Sequence, residues 1–270
     1  MKTTRMPTLF FGHGSPMNAI TQNAFADFLN EKGRQLIKPK AILAISAHWE
    51  SLGTQILKSA HPKTIHDFGG FPSKLFEVQY QAPGDIELAD KIAKLLSSHH
   101  AKVTDQWGLD HGTWSVLVHL YPQANIPVLQ LSLDRNLKLR DHFNLAKDLK
   151  SLRDEGVLIL GSGNITHNLR AIKWNENAKP FDWAIEFDQM IKTAILKKDY
   201  QILFNENPSD GALWDQALPT LEHYIPLLYV LGASDENDQL SFPYEEIQMG
   251  SLSMRSVEAN PRPASSRKPS

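Results

Sequence analysis

The run AILAISA at residues 41–47, followed directly by HWE at residues 48–50, is the stretch that decides how the fold is read. A continuous run of apolar and small residues is typical of a strand that is buried on both faces, as in a parallel sheet covered by helices. A histidine and a tryptophan come directly after it. We therefore expect His48 to stand at the carboxyl end of a central strand.

Two further histidines follow apolar strands in the same way. His13 lies just past the strand in MPTLFFGHGSP at residues 6–16, and His167 lies in the loop after the strand in VLILGSGNITHN at residues 157–168. Ligands of an open parallel sheet bind beyond the carboxyl ends of its strands, and neutral imidazole is a common ligand of divalent metals. The three histidines predict a metal site of undetermined chemistry, and the alternative is that each is an ordinary hydrogen-bonding residue.

Outward from this stretch, short apolar runs alternate with longer amphipathic segments. This pattern predicts one α/β domain with a mostly parallel central sheet flanked by helices on both faces. The predicted strands are Pro7–Phe11, Ala41–Ala47, Ile126–Leu133, Val157–Leu160 and Leu252–Val257. The predicted helices are Asn23–Glu31, Ile86–Ser98, Arg140–Asp154, Asp182–Lys198 and Glu222–Leu231. Gly156 is a helix stop signal.

Composition excludes several classes of function. The chain has 270 residues, with 28 basic and 30 acidic side chains and a net charge of −2, so we expect no nucleic-acid partner. It has no cysteine, so any metal must be held by nitrogen and oxygen ligands. No apolar run is long enough for a signal peptide or a membrane span, which predicts a cytoplasmic protein.

Three other histidines leave two interpretations open. His66 in TIHDFGGFP and His111 in LDHGTW each sit in a glycine-containing loop beside Asp67 or Asp110. Such a residue can support a metal ligand or contact a substrate, and it can equally belong to a turn that the aspartate caps. His223 begins an apolar helix in LPTLEHYIPLLYVLGAS, where it is either an exposed cap or a ligand that points into a cleft.

Seven ordered motifs resemble the LigB-type class III extradiol dioxygenases, and more narrowly their DOPA-dioxygenase-like branch. They are GHGSPM at 12–17, SAHWE at 46–50, TIHDFGGFP at 64–72, LDHGTW at 109–114, GSGNITHNLR at 161–170, EHYIPLLYVLGA at 222–233 and MGSLSMRS at 249–256. We assign residues 1–258 to the catalytic domain. Residues 259–270, rich in Pro, Ser and basic side chains, are predicted to form a disordered tail.

The resemblance implies a non-haem metal site. Its ligands are then His13, His48 and His223, with Fe(II) for activity and Zn(II) as another occupant. It implies that His167 is the acid/base residue, close enough to the metal to act as a fourth ligand in a zinc-loaded form. It also implies a catalytic and substrate-facing position for His111. The loop context adds His66 as a candidate substrate contact, and we expect the loops around 66–72 and 174–183 to shape the pocket.

The resemblance implies an enzyme that opens a catechol ring with O2 to give a semialdehyde. Its partners are then O2 and a small catechol, such as DOPA or a similar dihydroxyphenyl compound. A zinc-dependent hydrolase with His167 or Glu222 as base is the alternative, and a non-catalytic metal-binding protein is a third hypothesis. A monomer and a small homo-oligomer both remain open.

Overall fold

The molecule contains β-strands, α-helices and short 3-10 helices. The computed structural model describes residues 5–175, 178–206 and 208–262. Its strands are β1 (Thr8–Gly12), β2 (Ala41–Ser51), β3 (Gln55–Leu57), β4 (Lys102–Thr104), β5 (Val128–Asp134), β6 (Val157–Gly163), β7 (Gln239–Ser241), β8 (Ile247–Gln248), β9 (Leu252–Ser253) and β10 (Val257–Asn260). Short 3-10 helices cover Pro16–Ala19, Ser97–His99, Lys150–Glu155 and Pro208–Asp210.

The α-helices connect and cover these strands. They are α1 (Ala24–Gln35), α2 (Ser73–Phe76), α3 (Ile86–Leu95), α4 (His111–Leu120), α5 (Leu139–Lys147), α6 (Asp182–Lys197), α7 (Tyr200–Leu203), α8 (Gly211–Ala217) and α9 (Ile225–Gly232). No helix in the described part of the chain combines the length and the apolar character that crossing a bilayer requires.

The main sheet has the strand order β4-β3-β5-β2-β6-β1-β10-β7. The four central strands β5, β2, β6 and β1 are parallel to one another. Antiparallel pairing appears toward the edges, where β10 pairs with β1 and with β7, and where β3 pairs with β5. The predicted α/β domain with a mostly parallel central sheet is therefore confirmed. Strands β8 and β9 form a separate two-stranded ribbon.

The alternating direction of side chains along the central strands explains why helices cover both faces of the sheet. Ile42 and Ala44 of β2 pack into a core cluster that includes residues of α1 and α4, such as Phe25 and Trp114. Leu43, between them, packs into a cluster on the opposite face with residues of α3, α5 and α9. Successive side chains of a strand point to opposite faces, so a strand that is apolar at every position must be covered twice.

Several predicted boundaries differ from the observed ones. The strand predicted over Leu252–Val257 is two strands, β9 and β10, because Met254, Arg255 and Ser256 leave the extended pairing between them. The helix predicted over Arg140–Asp154 ends at Lys147, and a 3-10 helix carries the chain to Gly156, whose φ of 90° marks the predicted stop.

The carboxyl-terminal boundary also needs correction. Ala259 and Asn260 were assigned to the disordered tail, yet both lie in β10, where Ala259 is fully buried and pairs with Thr8. Hydrogen bonding to β1 and β7 supplies the order that the composition of this segment does not reveal. Residues 263–270 of the predicted tail lie outside the described residues.

Candidate metal centre and active site

Three histidines meet at one edge of the sheet. His13 directly follows β1, His48 lies in β2, and His223 lies in the turn before α9. A nitrogen of each ring lies within 4.8 Å of a nitrogen of the other two. The Nε2 atoms of His13 and His48 are 3.2 Å apart. The structure therefore brings together three of the predicted ligands from distant parts of the sequence.

The end of β6 sets the positions of His13 and His223. The His13 N–H donates to the carbonyl of Gly163 at 2.9 Å, and the Asn164 N–H donates to the carbonyl of His223 at 2.8 Å. This approach needs glycine, because a Cβ on Gly163 would lie 2.0 Å from the His223 carbonyl oxygen. Backbone hydrogen bonds at the end of β6 thus hold both histidines.

His48 lies inside its strand, not after it as predicted. Strand β2 continues to Ser51, and its pairing with β5 shifts register between Ile45 and Glu50. An irregularity of this kind bends a strand locally and re-aims its side chains, and such features are common next to active sites. Here the irregular stretch carries His48.

Burial keeps these rings neutral. Desolvation lowers the pKa of His13 and of His223 well below the ordinary value, and the neighbouring histidines lower both further. Desolvation, followed by the charge of His111, lowers the pKa of His48 to about 3. Each ring therefore offers an unprotonated nitrogen near neutral pH, as metal ligation requires.

Hydrogen bonds to Nδ1 fix which nitrogen is unprotonated. The Ser162 hydroxyl donates its only proton to the Gly112 carbonyl, so it can only accept from Nδ1–H of His13, 3.0 Å away. A carboxylate oxygen of Glu222 accepts from Nδ1–H of His223 at 3.0 Å. Both tautomers leave Nε2 as the ligand atom.

The third ring has the same kind of support. The Nδ1 atom of His48 lies 3.4 Å from a carboxylate oxygen of Asp67. Carboxylate or hydroxyl support of this kind is the usual second layer around metal-binding histidines. Three neutral nitrogen donors, each supported from behind, fit a divalent iron or zinc ion.

His111 adjoins this cluster from α4. Its ring centroid is 3.8 Å from that of His48, and its Nδ1–H donates to Asp67 at 2.9 Å. Burial raises the pKa of Asp67, but the hydrogen bond from His111 and the nearby imidazoles outweigh burial and lower it. His111 was expected in a loop, whereas it is the first residue of α4, whose amino end Asp110 caps.

His167 adjoins the cluster beside His223. Its ring stacks on that of His223 with centroids 3.5 Å apart and an angle of 7°. Burial, and to a smaller extent the charge of His111, lowers the pKa of His167 to about 4. His167, Glu222 and His223 form a second group with metal-ligand spacing, so His167 is close enough to share an ion with His223.

The five histidines line one cavity of about 240 Å³. The rest of its wall is mainly apolar, with the side chains of Phe68, Phe71, Leu169, Ile172, Trp174, Met249 and Leu252. The loops predicted to shape the pocket supply the two phenylalanines and Trp174. Met249, in the turn between β8 and β9, and Leu252, in β9, were not predicted to line the pocket, although both belong to the motif MGSLSMRS. This volume suits a single ring with a short substituent.

The structure does not bring His66 to this cavity. Its Nε2 lies 3.0 Å from the Val78 carbonyl, and its ring packs behind Phe68 and against Trp114. His66 therefore supports an aromatic wall residue from behind. Asp67, the next residue, is the one that reaches the histidine cluster.

Comparisons with known proteins agree with this arrangement. A family model described as the catalytic LigB subunit of aromatic ring-opening dioxygenase matches residues 3–252. A protein of Escherichia coli strain K12 named 4,5-DOPA dioxygenase extradiol is 43% identical over 262 residues, which cover 96% of each chain. A protein of Beta vulgaris with the same name is 38% identical over 253 residues, covering 91% of this chain and 93% of the relative.

A solved structure has the same fold. The crystal structure of the uncharacterized protein JW3007 from Escherichia coli K12 aligns with a TM-score of 0.82 and 38% sequence identity. The alignment covers 94% of this chain and 99% of that one. The similarity therefore extends over nearly the whole of both molecules.

Proposed function

The chain belongs to the LigB family of aromatic ring-opening dioxygenases, and from this premise we propose that it cleaves a catechol ring next to the diol, using O2 and a metal held by histidine. One observation carries the proposal. The three nitrogen donors of His13, His48 and His223 adjoin a cavity of single-ring size that His111 and His167 also line. A metal site and two further imidazoles therefore surround the space that a catechol would fill.

Fe(II) is the metal we propose for activity, with His13, His48 and His223 as its ligands. When bound, ferrous iron would lower the pKa of a coordinated catechol hydroxyl and provide the redox contact between the ring and O2 that redox-silent zinc does not provide. Zinc fits the same three neutral nitrogens, and His167 beside His223 would supply it with a fourth ligand.

His167 is the proposed acid/base residue. It lines the cavity, and its ring is neutral near pH 7 because burial lowers its pKa to about 4. It can therefore accept the proton of a catechol hydroxyl and return that proton when the ring opens. The ring of His223 stacked against it fixes its plane.

His111 is proposed to face the substrate from the other side. Asp67 accepts from its Nδ1–H, so its Nε2 is left unprotonated toward the cavity side of α4. The apolar wall formed by Phe68, Ile172 and Met249 would hold the flat ring and exclude water from it. Together these groups orient a catechol between two imidazoles.

The substrate that we propose is DOPA or a similar dihydroxyphenyl compound, and the product is a semialdehyde. Two relatives that match nearly the full chain carry the name 4,5-DOPA dioxygenase extradiol. The cavity accommodates one substituted ring, which agrees with a catechol of this size.

A zinc-dependent hydrolase is the competing proposal, because the same nitrogens suit zinc. Its version with Glu222 as base is weakened by geometry. The Oε1 atom of Glu222 accepts from Nδ1–H of His223 at 3.0 Å and from the Thr220 hydroxyl at 2.9 Å. This carboxylate is thus engaged in orienting a ring. Oxygen uptake distinguishes a hydrolase with His167 as base from a ring-opening dioxygenase.

The test is anaerobic reconstitution of metal-free protein with Fe(II) or Zn(II), followed by DOPA and air. Oxygen uptake and a visible absorbance of the semialdehyde or its cyclised product are recorded together. We expect uptake with iron alone. If the iron-loaded protein took up no oxygen with DOPA or any simple catechol, the ring-opening proposal would fail and the hydrolase would become the better one.

A further inference from the structure

Among the described residues, the cavity lining other than the histidines carries no formal charge. Apart from the five histidines, the lining within the described residues includes no acidic or basic side chain. Ser15 contributes the one hydroxyl group, and that hydroxyl already accepts from the Met17 N–H at 3.3 Å. A charged substituent on a bound ring would therefore find no complementary charge in this wall.

Three charged residues close to the cavity in sequence have partners elsewhere, whereas Arg170, next to Leu169, is exposed and does not line the cavity. Asp67 pairs with His111 and His48, and Glu222 pairs with His223. Lys173 places its Nζ 4.1 Å from the centre of the Phe181 ring. None of these three groups is directed at a substituent in the cavity.

The apolar wall continues to the surface of the molecule. Leu169 and Trp174 both line the cavity, yet 57% of Leu169 and 78% of Trp174 is exposed. Large apolar side chains so exposed beside a cavity mark a ligand-binding surface, because covering them with apolar groups is favourable. A ring held near the histidines would direct its substituent toward these two residues.

We propose that the preferred catechol carries an uncharged, mainly apolar substituent that packs on Leu169, Ile172 and Trp174. The inference rests on the proposed ring-opening function and, among the substrates proposed there, it favours a similar dihydroxyphenyl compound with an apolar substituent over DOPA itself. An ammonium or carboxylate group in the same place loses hydration without gaining a partner. An apolar group gains roughly fourfold in affinity for each methylene that it buries.

A matched pair of catechols tests this preference. 4-Propylcatechol and dopamine have side chains of equal length, and they differ in that a methyl group of the first is an ammonium group in the second. With iron-loaded enzyme we expect kcat/KM from oxygen uptake to be at least about tenfold higher for 4-propylcatechol. DOPA and 3-(3,4-dihydroxyphenyl)propanoate extend the series to a zwitterion and an anion, and both should resemble dopamine.

Binding without turnover gives a second measurement. Anaerobic titration calorimetry of the zinc-loaded protein should rank the four compounds in the same order. The variants Leu169→Ser and Trp174→Ala should each reduce the advantage of 4-propylcatechol over dopamine by about threefold or more. Leu196→Ser is the matched control, because Leu196 is also 57% exposed but lies on α6 and does not line the cavity.

The outcomes separate the two proposals. If no catechol, substituted or not, is cleaved by the iron form, the ring-opening function fails and the substrate inference fails with it. If dopamine, DOPA or the propanoate is cleaved as well as 4-propylcatechol or better, the function stands and the inference is overturned. In that case Arg170→Ala shows whether the exposed side chain beside Leu169 recruits a carboxylate.

Discussion

At the level of single residues, the contact between His13 and His48 is the most informative. Their Nε2 atoms are 3.2 Å apart, and the Ser162 hydroxyl requires the proton of His13 to be on Nδ1. Asp67 favours the same tautomer of His48. Two unprotonated nitrogens at this distance repel each other unless a cation lies close to both. The pair is therefore arranged for a shared cation, in agreement with the proposed metal site.

Alanine substitutions should separate metal ligands from the acid/base residue. Replacing His13, His48 or His223 should remove most of the bound iron, because two nitrogens are too few to hold it. His167→Ala should keep most of the iron and lose about 10²–10⁴-fold in turnover. Metal analysis and oxygen uptake on the same samples measure both effects. His99→Ala, which removes a partly exposed partner of Asp148, is the control. Near-normal turnover of His167→Ala would refute its role.

Asp67 should matter for turnover although it does not line the cavity. Asp67→Asn keeps an oxygen that can accept the His111 backbone N–H, but it removes the negative charge beside two imidazoles. We expect kcat to fall about 10–100-fold with little change in the unfolding free energy. Asp90→Asn is the control, because Asp90 forms an exposed ion pair with Lys58. Equal kcat values for the two variants would show that Asp67 has no positioning role.

At the level of elements, the central strands could be predicted, whereas helix α4 could not. Residues 41–47 and 157–160 are apolar or small without alternation, and burial on both faces produces this pattern directly. Helix α4 is buried almost all round, so HGTWSVLVHL has no polar face to reveal a helical period. His111 was consequently assigned to a loop. Only the resemblance to the LigB-type dioxygenases indicated a catalytic and substrate-facing position for His111, because the periodicity of the sequence carries no such information.

The candidate site, too, could be predicted from the sequence only in part. Histidines that follow apolar strands were visible, because strand ends meet at one sheet edge. The contacts of Asp67 with His111 and of Glu222 with His223 could not be read from the chain. Asp67 contacts a residue 44 positions away, and whether Glu222 faces its neighbour depends on rotamers. Side-chain pairing of this kind is fixed by tertiary packing, which a single sequence does not display.

The end of β6 offers a test of how an element positions the site. A Cβ at Gly163 would lie 2.0 Å from the His223 carbonyl oxygen, so Gly163→Ala must push His223 away. We expect a loss of about 1–3 kcal/mol in stability and weaker iron binding, measured by denaturant unfolding and metal titration. Gly211→Ala is the control, because nothing lies within 4 Å of a Cβ at that position of α8. Unchanged iron affinity in Gly163→Ala would contradict this account.

At the level of the whole molecule, the three proposed ligands connect separate parts of the fold. His13 follows β1 and His48 belongs to β2, two strands separated in the sheet by β6. His223 precedes α9, which packs on one face of that sheet with α5. An unfolded chain cannot hold three such distant residues around one ion. Metal binding must therefore favour the folded state over the unfolded one.

Metal removal should consequently lower thermal stability. At a free metal concentration about 100 times Kd, binding contributes about 2.7 kcal/mol, which for a chain of this size raises Tm by roughly 5 °C or more. We expect Zn(II) to give this rise in calorimetry and a chelator to reverse it, and zinc is chosen because it avoids oxidation during heating. His13→Ala should show a much smaller rise, because a ligand from β1 is missing. His99→Ala should retain the full rise. A rise of equal size in His13→Ala would place the stabilising metal elsewhere on the molecule, and its absence in the unmodified chain would argue against a metal site that joins these elements.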